Sequence, residues 1–360
     1  MIPAKSCVPA VTLALAVSLA TPAVAQWQLA PLATRAEFRG LSVVDGTVAW
    51  ASGTHGTVAR TTDGGATWTL RGVPAADSLD LRSIVGLGAD VAVTASAGPA
   101  EAGQARIFRT TDGGASWSAV YATDRKGVFL DALAFWDSRH GIAQSDPVDG
   151  TFYLLTTDDG GMTWTRVPPA ALPPTLPGEA AFAASGTCMV VWGADDVWIG
   201  TGGGPRARVF HSRDRGRTWT VSDTPVHAGS SASGIFSLAF RDATHGVAVG
   251  GDYTAPHGQT ANAAITDDGG RTWRAAHGPL VPAYLSGVSY AGTANDLIAV
   301  GLAGTALSSD GGESWIAVDT LPLDAVRVHG AFWAASGPHG RLGRWAGAPR
   351  RALGRSGTSH

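Results

Sequence analysis

The chain has 360 residues, 44% of them hydrophobic, and its 26 basic and 29 acidic residues give a formal net charge of −3 at pH 7. This balance argues against a nucleic-acid-binding protein, which usually carries a stripe of Lys and Arg. The two cysteines, Cys7 and Cys188, are too few for a disulfide framework.

The first 25 residues have the pattern of an export signal. Lys5 precedes an apolar stretch over residues 8–20, and Ala23-Val24-Ala25 has the small-x-small arrangement that signal peptidase cleaves. The stretch is short for a spanning helix, which needs about 20 apolar residues. The pattern predicts cleavage before Gln26, a periplasmic or secreted protein, and no transmembrane segment in the mature chain. Retention of this segment as an anchor is the alternative.

One eight-residue pattern then occurs six times, and we call each copy a box. It has Ser or Thr first, Asp third, Gly fifth, Ser or Thr seventh and Trp eighth. The copies are "TTDGGATW" at Thr61, "TTDGGASW" at Thr110, "TDDGGMTW" at Thr157, "SRDRGRTW" at Ser212, "TDDGGRTW" at Thr266 and "SSDGGESW" at Ser308. Their aspartates are Asp63, Asp112, Asp159, Asp214, Asp268 and Asp310. A repeat spaced by 42 to 55 residues indicates a repeat architecture.

Each box lies between two strand-like segments, and two further segments precede this hairpin. The upstream pair is clearest in "GIFSLAFRDATHGVAVGGD" at residues 234–252, where apolar residues alternate on both sides of a turn. The unit therefore has four strands, a to d, and the box closes the c–d turn. Radially arranged four-stranded units of this length form a β-propeller.

The two ends of the repeat region together predict a seventh blade. Residues 326–345 resemble strands of the first unit but lack a box, and "WQLAPL" at residues 27–32 resembles the strand after a box. Joining them closes the ring and removes exposed sheet edges. The sequence predicts an all-β, seven-bladed propeller of four-stranded antiparallel blades over residues 26–346. Residues 347–360, rich in Gly, Ser and Arg, are expected to form a disordered basic tail.

The boxes are predicted to be scaffolding rather than sites. The aspartate can accept backbone N–H groups of its own turn, the second Gly can adopt a positive φ, and the Trp can wedge against a neighbouring sheet. Six equivalent turns in a ring indicate a folding device. The acidic spacing of a calcium loop is absent. Turn histidines such as His140 and His245 lack metal-ligand spacing, so we expect no metal and no cofactor.

Loop length indicates where a site would lie. Because strands in a blade alternate in direction, b–c loops and d–a connections share the face opposite the boxes. The long b–c loops are residues 96–106, 145–150, 201–208 and 251–262, and the long d–a connection is residues 168–181. Function concentrates in such loops on a rigid scaffold. The candidate ligand- or partner-binding residues, chosen near the strand ends, are Arg106, Asp146, Glu179, Arg208, Asp252 and Tyr253.

The alternative is that these residues are solvated loop charges paired with each other. If they bind a ligand, Glu179→Gln and Arg208→Ala are expected to abolish binding with little effect on thermal stability. Asp159→Ala in a box is expected to do the reverse.

The box resembles the Asp-box, or BNR, repeat of sialidases, xyloglucanases and sortilin-type receptors. With "GTVAWASGTHGTVARTTDGGATW" leading and seven units counted, residues 27–345 most resemble the photosystem II assembly and stability factor family and its exported bacterial relatives. The resemblance implies a seven-bladed propeller outside the cytoplasm that binds membrane-protein assembly intermediates, partly through an arginine-rich surface.

Two functions from different classes stay open. The first is a binding or assembly scaffold for a membrane or secreted partner protein. The second is a carbohydrate-active enzyme, a glycoside hydrolase or sialidase-like protein, in which two carboxylates act on a glycan. Asp146, Glu179 and Asp252 are its candidate carboxylates. A xyloglucanase resembles two facing propellers, whereas this chain has the length of one, and "TVARTT" stands where a sialidase has its Arg-Ile-Pro element. The sequence assigns no catalytic residue.

Overall fold

A computed structural model describes residues 26–258, 261–278, 284–291 and 295–347. The predicted export signal, and the predicted tail apart from Gly347, lie outside the described residues. Helix in the described part is limited to two 3₁₀ turns, Ala100–Ala102 and Pro169–Ala171. No helix in these ranges is long and apolar enough to cross a membrane.

The described strands of the first half, in chain order, are β1 Trp27–Leu29, β2 Phe38–Val43, β3 Ala49–Gly53, β4 Thr57–Thr61, β5 Thr69–Gly72, β6 Asp80–Gly86, β7 Ala92–Ala97, β8 Arg106–Thr110, β9 Ser118–Ala122, β10 Leu130–Phe135, β11 Gly141–Val148, β12 Thr151–Thr157 and β13 Thr165–Arg166. Those of the second half are β14 Met189–Trp192, β15 Asp196–Gly200, β16 Arg208–Ser212, β17 Thr220–Asp223, β18 Ser233–Phe240, β19 Gly246–Asp252, β20 Ala263–Thr266, β21 Arg274–Ala275, β22 Gly287–Tyr290, β23 Leu297–Gly301, β24 Gly304–Ser308, β25 Ile316–Asp319, β26 Ala325–His329, β27 Phe332–Gly337 and β28 Arg341–Trp345.

These strands form seven four-stranded antiparallel sheets, which are the predicted blades. Blades 1 to 6 each use four consecutive strands, from β2–β5 to β22–β25. The first strands of successive blades, β2, β6, β10, β14, β18, β22 and β26, contact one another in a closed ring. The first strand of each blade is therefore innermost, next to the axis, and the predicted a-to-d order is confirmed.

The seventh blade is built from both ends of the propeller, as predicted. Its sheet order is β1-β28-β27-β26, and β1 pairs with β28 through Trp27 opposite Trp345. The two indole rings meet edge to face at 5.1 Å. Trp27 also donates its ring N–H to the Thr305 hydroxyl of blade 6 at 2.9 Å. The N-terminal strand thus completes the sheet of blade 7 and also forms a hydrogen bond to blade 6.

Apolar clusters fill the seven interfaces between neighbouring blades, one at each interface. A sheet with two faces covered in this way buries apolar side chains on both, which is the main source of stability in such a fold. Each box contributes its tryptophan to the interface with the preceding blade; these residues are Trp68, Trp117, Trp164, Trp219, Trp273 and Trp315.

The six boxes repeat one set of hydrogen bonds. In the first, the Thr67 N–H and hydroxyl donate to Asp63 at 2.9 and 2.6 Å, and the Thr61 hydroxyl donates to it at 2.8 Å. The Gly65 N–H donates to the Thr61 hydroxyl at 3.0 Å. The glycine at the fifth position of every box has a φ between +77° and +96°, a region that other residues resist. Hydrogen bonds from the Thr67 side chain and backbone lower the pKa of Asp63 to about 2.

The two ends of the blades differ. The box face carries the a–b and c–d turns, and the loop face carries the b–c loops and d–a connections. The long loops lie where the sequence predicted them, with one correction. Residues 145–150 are mainly an extension of the β11/β12 hairpin, because pairing continues past a bulge to Pro147 opposite Phe152 and Val148 opposite Thr151.

Candidate functional site

Four inner strands carry a β-bulge at the same position, near the loop face. The pairs β2/β3, β6/β7, β10/β11 and β18/β19 shift register there, and the unpaired residues are Arg39, Arg82, Asp131 and Phe236. A bulge re-aims a side chain and is frequent next to functional sites. Since these strands surround the axis, the bulges bring two arginines, an aspartate and a phenylalanine to one place.

We call this place the mouth, and it has two sides. The charged arc comes from blades 7, 1, 2 and 3 and contains Asp324, Arg39, Arg82 and Asp131. The aromatic arc comes from the connection between blades 3 and 4, from blade 5 and from the connection between blades 5 and 6, and contains Phe182, Phe236, Tyr253 and Tyr284.

The charged arc contains polar atoms without partners. Arg82 donates its Nε to Asp80 at 2.6 Å, but the second carboxylate oxygen of Asp80 is buried with no hydrogen-bond partner among the described residues. Arg39 forms no hydrogen bond or ion pair with any described side chain, and its Nε is buried. Unsatisfied buried donors and acceptors cost free energy unless a ligand or water satisfies them.

Three carboxyl groups at or beside the mouth resist ionisation. Burial raises the pKa of Asp324 to about 6, although the Arg39 charge opposes it. Burial also raises the pKa of Asp146 to about 6, against a hydrogen bond from the Ala181 N–H. Burial and then the adjacent Asp146 carboxyl raise the pKa of Asp131 well above its ordinary range. Like-charged groups in a dry site disfavour each other's ionisation.

Ring contacts hold the aromatic arc together. Phe182 stacks on Phe236 with centroids 4.0 Å apart, and Tyr284 and Tyr253 meet Phe236 edge-on at 4.9 and 6.2 Å. Tyr253 is 47% exposed, so part of this surface faces solvent. Tyr284 adjoins both arcs: burial and then the nearby Asp324 charge raise its pKa, while Arg39 acts in the opposite direction.

The segment over residues 183–187, which we call the plug, crosses the axis beneath the mouth. The Ser185 hydroxyl donates to the Ser286 carbonyl of blade 6 at 2.6 Å, and the Thr187 hydroxyl donates to Ser237 of blade 5 at 2.6 Å. On the other side, a Cβ at Gly186 would lie 2.9 Å from the Ser83 hydroxyl of blade 2. All five residues are buried. The mouth is therefore a blind depression with a floor.

The predicted site residues Glu179 and Arg208 form a buried ion pair. Arg208 donates to both Glu179 oxygens, with Nε 2.9 Å from Oε1, and the Thr201 hydroxyl donates to Oε1 at 2.7 Å. Their side chains are 0% and 8% exposed. The pair fastens the 201–208 loop to the 168–181 connection. This burial argues against the expectation that their replacement has little effect on thermal stability, while a part in ligand binding stays a prediction.

The other four predicted residues are dispersed. Asp146 accepts the Ala181 N–H at 3.0 Å, just ahead of the plug, and Tyr253 belongs to the aromatic arc. Asp252 accepts the Thr254 N–H and hydroxyl at 2.8 and 2.6 Å. Arg106 donates to the Gly103 carbonyl at 2.8 Å. Among described residues, neither Asp252 nor Arg106 bonds to another predicted residue.

Sequence reasoning missed the bulge residues because it followed loop length. A signal was present: the inner strands read "FRGLS", "LRSIV", "LDALA" and "IFSLA", in which the second residue is Arg, Arg, Asp and Phe in turn while the other positions stay apolar or small. The sequence alone does not show that these four side chains point toward the axis of the propeller.

A second cavity, of about 390 Å³, opens on the flank between blades 3 and 4. Trp136, Arg215 and Arg217 are among its lining residues. Arg215 has a φ of +60° where the other five boxes have glycine, and it is held by Asp195 at 3.2 Å. In the described ranges, no group of His, Cys, Asp and Glu could hold a metal ion.

Comparison with known proteins supports the fold. No protein-family model and no curated protein matches the chain. A structure of YCF48 bound to D1 peptide matches with a TM-score of 0.59 and 18% identity, covering 93% of this chain and 100% of that chain. YCF48 from Cyanidioschyzon merolae matches with a TM-score of 0.62 and 17% identity, covering 89% of this chain and 99% of that one.

The GH74 xyloglucanase from Xanthomonas campestris is also similar, with a TM-score of 0.59 and 18% identity over 91% of this chain and 55% of the enzyme. This chain thus spans about half of that enzyme. The molecule is a seven-bladed β-propeller whose structural neighbours include YCF48 proteins and GH74 enzymes, in agreement with the resemblance found in its sequence. Identities this low establish the fold alone.

Proposed function

We propose that this propeller acts outside the cytoplasm as a binding scaffold and takes a partner protein from the cell envelope at the mouth. The observation that carries the proposal is the set of bulges that directs Arg39, Arg82, Asp131 and Phe236 toward one axial depression. Arginine and aromatic side chains are the residues that protein-binding surfaces favour at their centres, and here Arg39 and Arg82 lie beside an aromatic arc that is exposed at Tyr253.

Two further observations support a protein partner. YCF48, a propeller to which this chain is similar over nearly its whole length, has a structure with a bound peptide. The mouth also presents groups that can form hydrogen bonds with a peptide backbone, because the Arg39 Nε is an unpaired donor and Asp80 has an unpaired acceptor oxygen. The first 25 residues, with their signal-like pattern, support the extracytoplasmic location.

The carbohydrate-active alternative is favoured by one observation, the likeness to a GH74 xyloglucanase. It requires two carboxyl groups free to act on opposite sides of a glycosidic bond. Of its three candidates, Glu179 is committed to Arg208 and Asp252 to its own turn. Asp146, with its raised pKa, is the candidate general acid that stays available to this alternative.

The test is affinity capture from the envelope fraction with the mature chain, 26–360, as bait. The mouth variant Arg39→Gln/Tyr253→Ala is compared with the flank variant Arg217→Ala, which leaves the mouth intact. We expect enrichment of a membrane or secreted protein that the mouth variant loses and the flank variant keeps. Loss with the flank variant alone would move the site to the second cavity. Cleavage of a glycan in a library screen, abolished by Asp146→Asn, would favour the enzyme instead.

A further inference from the structure

The unpaired atoms of the mouth define the kind of ligand group that it accommodates. Arg39 is a guanidinium with no bonded partner among described residues, and a guanidinium binds carboxylates through two parallel hydrogen bonds. Two acceptors lie near it: the Asp324 carboxyl on the blade 7 side, on which the Arg39 charge acts, and the Asp80 carboxylate on the blade 2 side, which also acts on Asp324 and has one unpartnered oxygen. A ligand that satisfies all three groups carries a carboxylate with an N–H donor close to it.

The plug limits how a chain can enter. Ser185 and Thr187 bridge to blades 6 and 5, and Gly186 packs on blade 2, so the depression has no exit toward the box face. A chain cannot thread through the ring, and one that reaches Arg39 must end there or double back. A chain end makes the smaller demand on space.

The opposite side of the mouth supplies an apolar contact. The stacked Phe182 and Phe236 rings and the half-exposed Tyr253 lie beside Tyr284, whose hydroxyl is within the electrostatic reach of Arg39 and Asp324. An apolar or aromatic side chain on these rings would therefore be within one residue's reach of a group bound to Arg39.

We propose that the mouth captures the C-terminus of its partner: the terminal carboxylate binds Arg39, the last backbone N–H binds Asp324 or Asp80, and an apolar terminal side chain packs on the aromatic arc. This inference rests on the proposed function and specifies its ligand. An internal acidic side chain would supply the carboxylate but would require the chain to leave past the same rim.

The experiment measures binding of fluorescent pentapeptide pools, randomised at the last two positions, to the mature chain. Each pool is made as the free acid and as the C-terminal amide, and a third pool has an internal Asp and an amidated end. We expect the free acids to bind about 10-fold or more tightly than the amides, the size of one charge-assisted hydrogen bond, with apolar last residues enriched. Arg39→Gln should remove this preference. Arg35→Gln, an exposed arginine four residues away, should keep it.

The outcomes separate this inference from the proposed function. If acids and amides bind equally and the mouth variant still loses capture of the envelope partner, the C-terminal assignment is overturned and the binding function stands. The same holds if the internal-Asp amides bind best, or if Arg39→Gln keeps the acid preference. If no pool binds and capture is indifferent to the mouth variant, both are overturned. Tighter binding of a uronic-acid oligosaccharide than of every peptide pool would also overturn the C-terminal assignment.

Discussion

The two faces of this propeller are built on opposite rules. On the box face, six turns repeat the same hydrogen bonds, and each Asp accepts from the residue before its Trp, as Asp63 does from Thr67 and Asp310 from Ser314. On the loop face, equivalent positions of the inner strands hold Arg39, Asp131 and Phe236. Uniform residues at equivalent positions solve a packing problem common to all blades. Unlike residues at equivalent positions create a single asymmetric surface, which is what a binding site requires.

The largest expected effect on stability is at the buried ion pair between Glu179 and Arg208, which is a structural element on the otherwise variable loop face. Arg208→Ala leaves Glu179 charged and buried, and we expect it to lower the free energy of unfolding by about 3–5 kcal/mol. Arg206→Ala, which breaks the exposed pair with Asp223, should change it by less than about 1 kcal/mol. Urea unfolding of both variants measures the difference. Equally small effects of the two substitutions would mean that the buried ion pair does not stabilise the loop face.

A box aspartate should matter less, because its donors are near solvent. Asp159→Ala leaves the Thr163 N–H and hydroxyl and the Thr157 hydroxyl without their acceptor. We expect a loss of about 1–2 kcal/mol in unfolding free energy with partner capture unchanged. Asp158→Ala next to it, with a side chain 89% exposed, is the matched control and should be neutral. Lost capture without lost stability would make the box a site.

The two faces should also respond to pH in opposite directions. The pKa of Asp63 and of Asp112 is lowered to about 2 by hydrogen bonds, so the stability they contribute is present above about pH 4 and is lost as pH falls toward 2. Burial raises the pKa of Asp146 to about 6, so its contribution is present below about pH 4 and is lost as pH rises through 6.

Thermal melts between pH 2 and 8 test this. Asp146→Asn keeps an acceptor for the Ala181 N–H and cannot ionise, so it should flatten the decline between about pH 4 and 6 and leave the acid limb unchanged. Asp149→Asn, an exposed pair partner of Arg125 in the same hairpin, should leave both limbs as they are. An unchanged decline between about pH 4 and 6 in Asp146→Asn would show that this carboxyl ionises as in the unfolded chain.

The smallest stability effect is expected at the exposed edge of the aromatic arc. Tyr253→Ala removes a half-exposed ring that only edges against Phe236, so unfolding free energy should change by about 0.5 kcal/mol or less while partner capture falls. Met162→Ala, an equally exposed side chain in the third box, should affect neither. Unimpaired capture by Tyr253→Ala would confine the mouth to its charged arc.

The sequence by itself determined the architecture. Six boxes at a regular spacing required repeated four-stranded units, and the strand "WQLAPL" at one end matched the blade left incomplete at the other, where Trp27 indeed pairs with Trp345. These predictions hold because identical turns need identical side chains: an Asp to accept the turn's N–H groups, a Gly for positive φ, and a Trp to fill the interface. Local chemistry of that kind is written in consecutive residues.

Only the tertiary structure decided the candidate site. Loop length pointed to the loop face and to Asp146 and Tyr253, whose part in binding stays a prediction, but it did not foresee that Glu179 and Arg208 bury each other as an ion pair. Arg39, Asp131 and Phe236 are far apart in the chain, and each lies in a strand that otherwise reads as buried core. A one-residue bulge reverses which way a side chain points, and it takes the closed ring to bring the three to one axis.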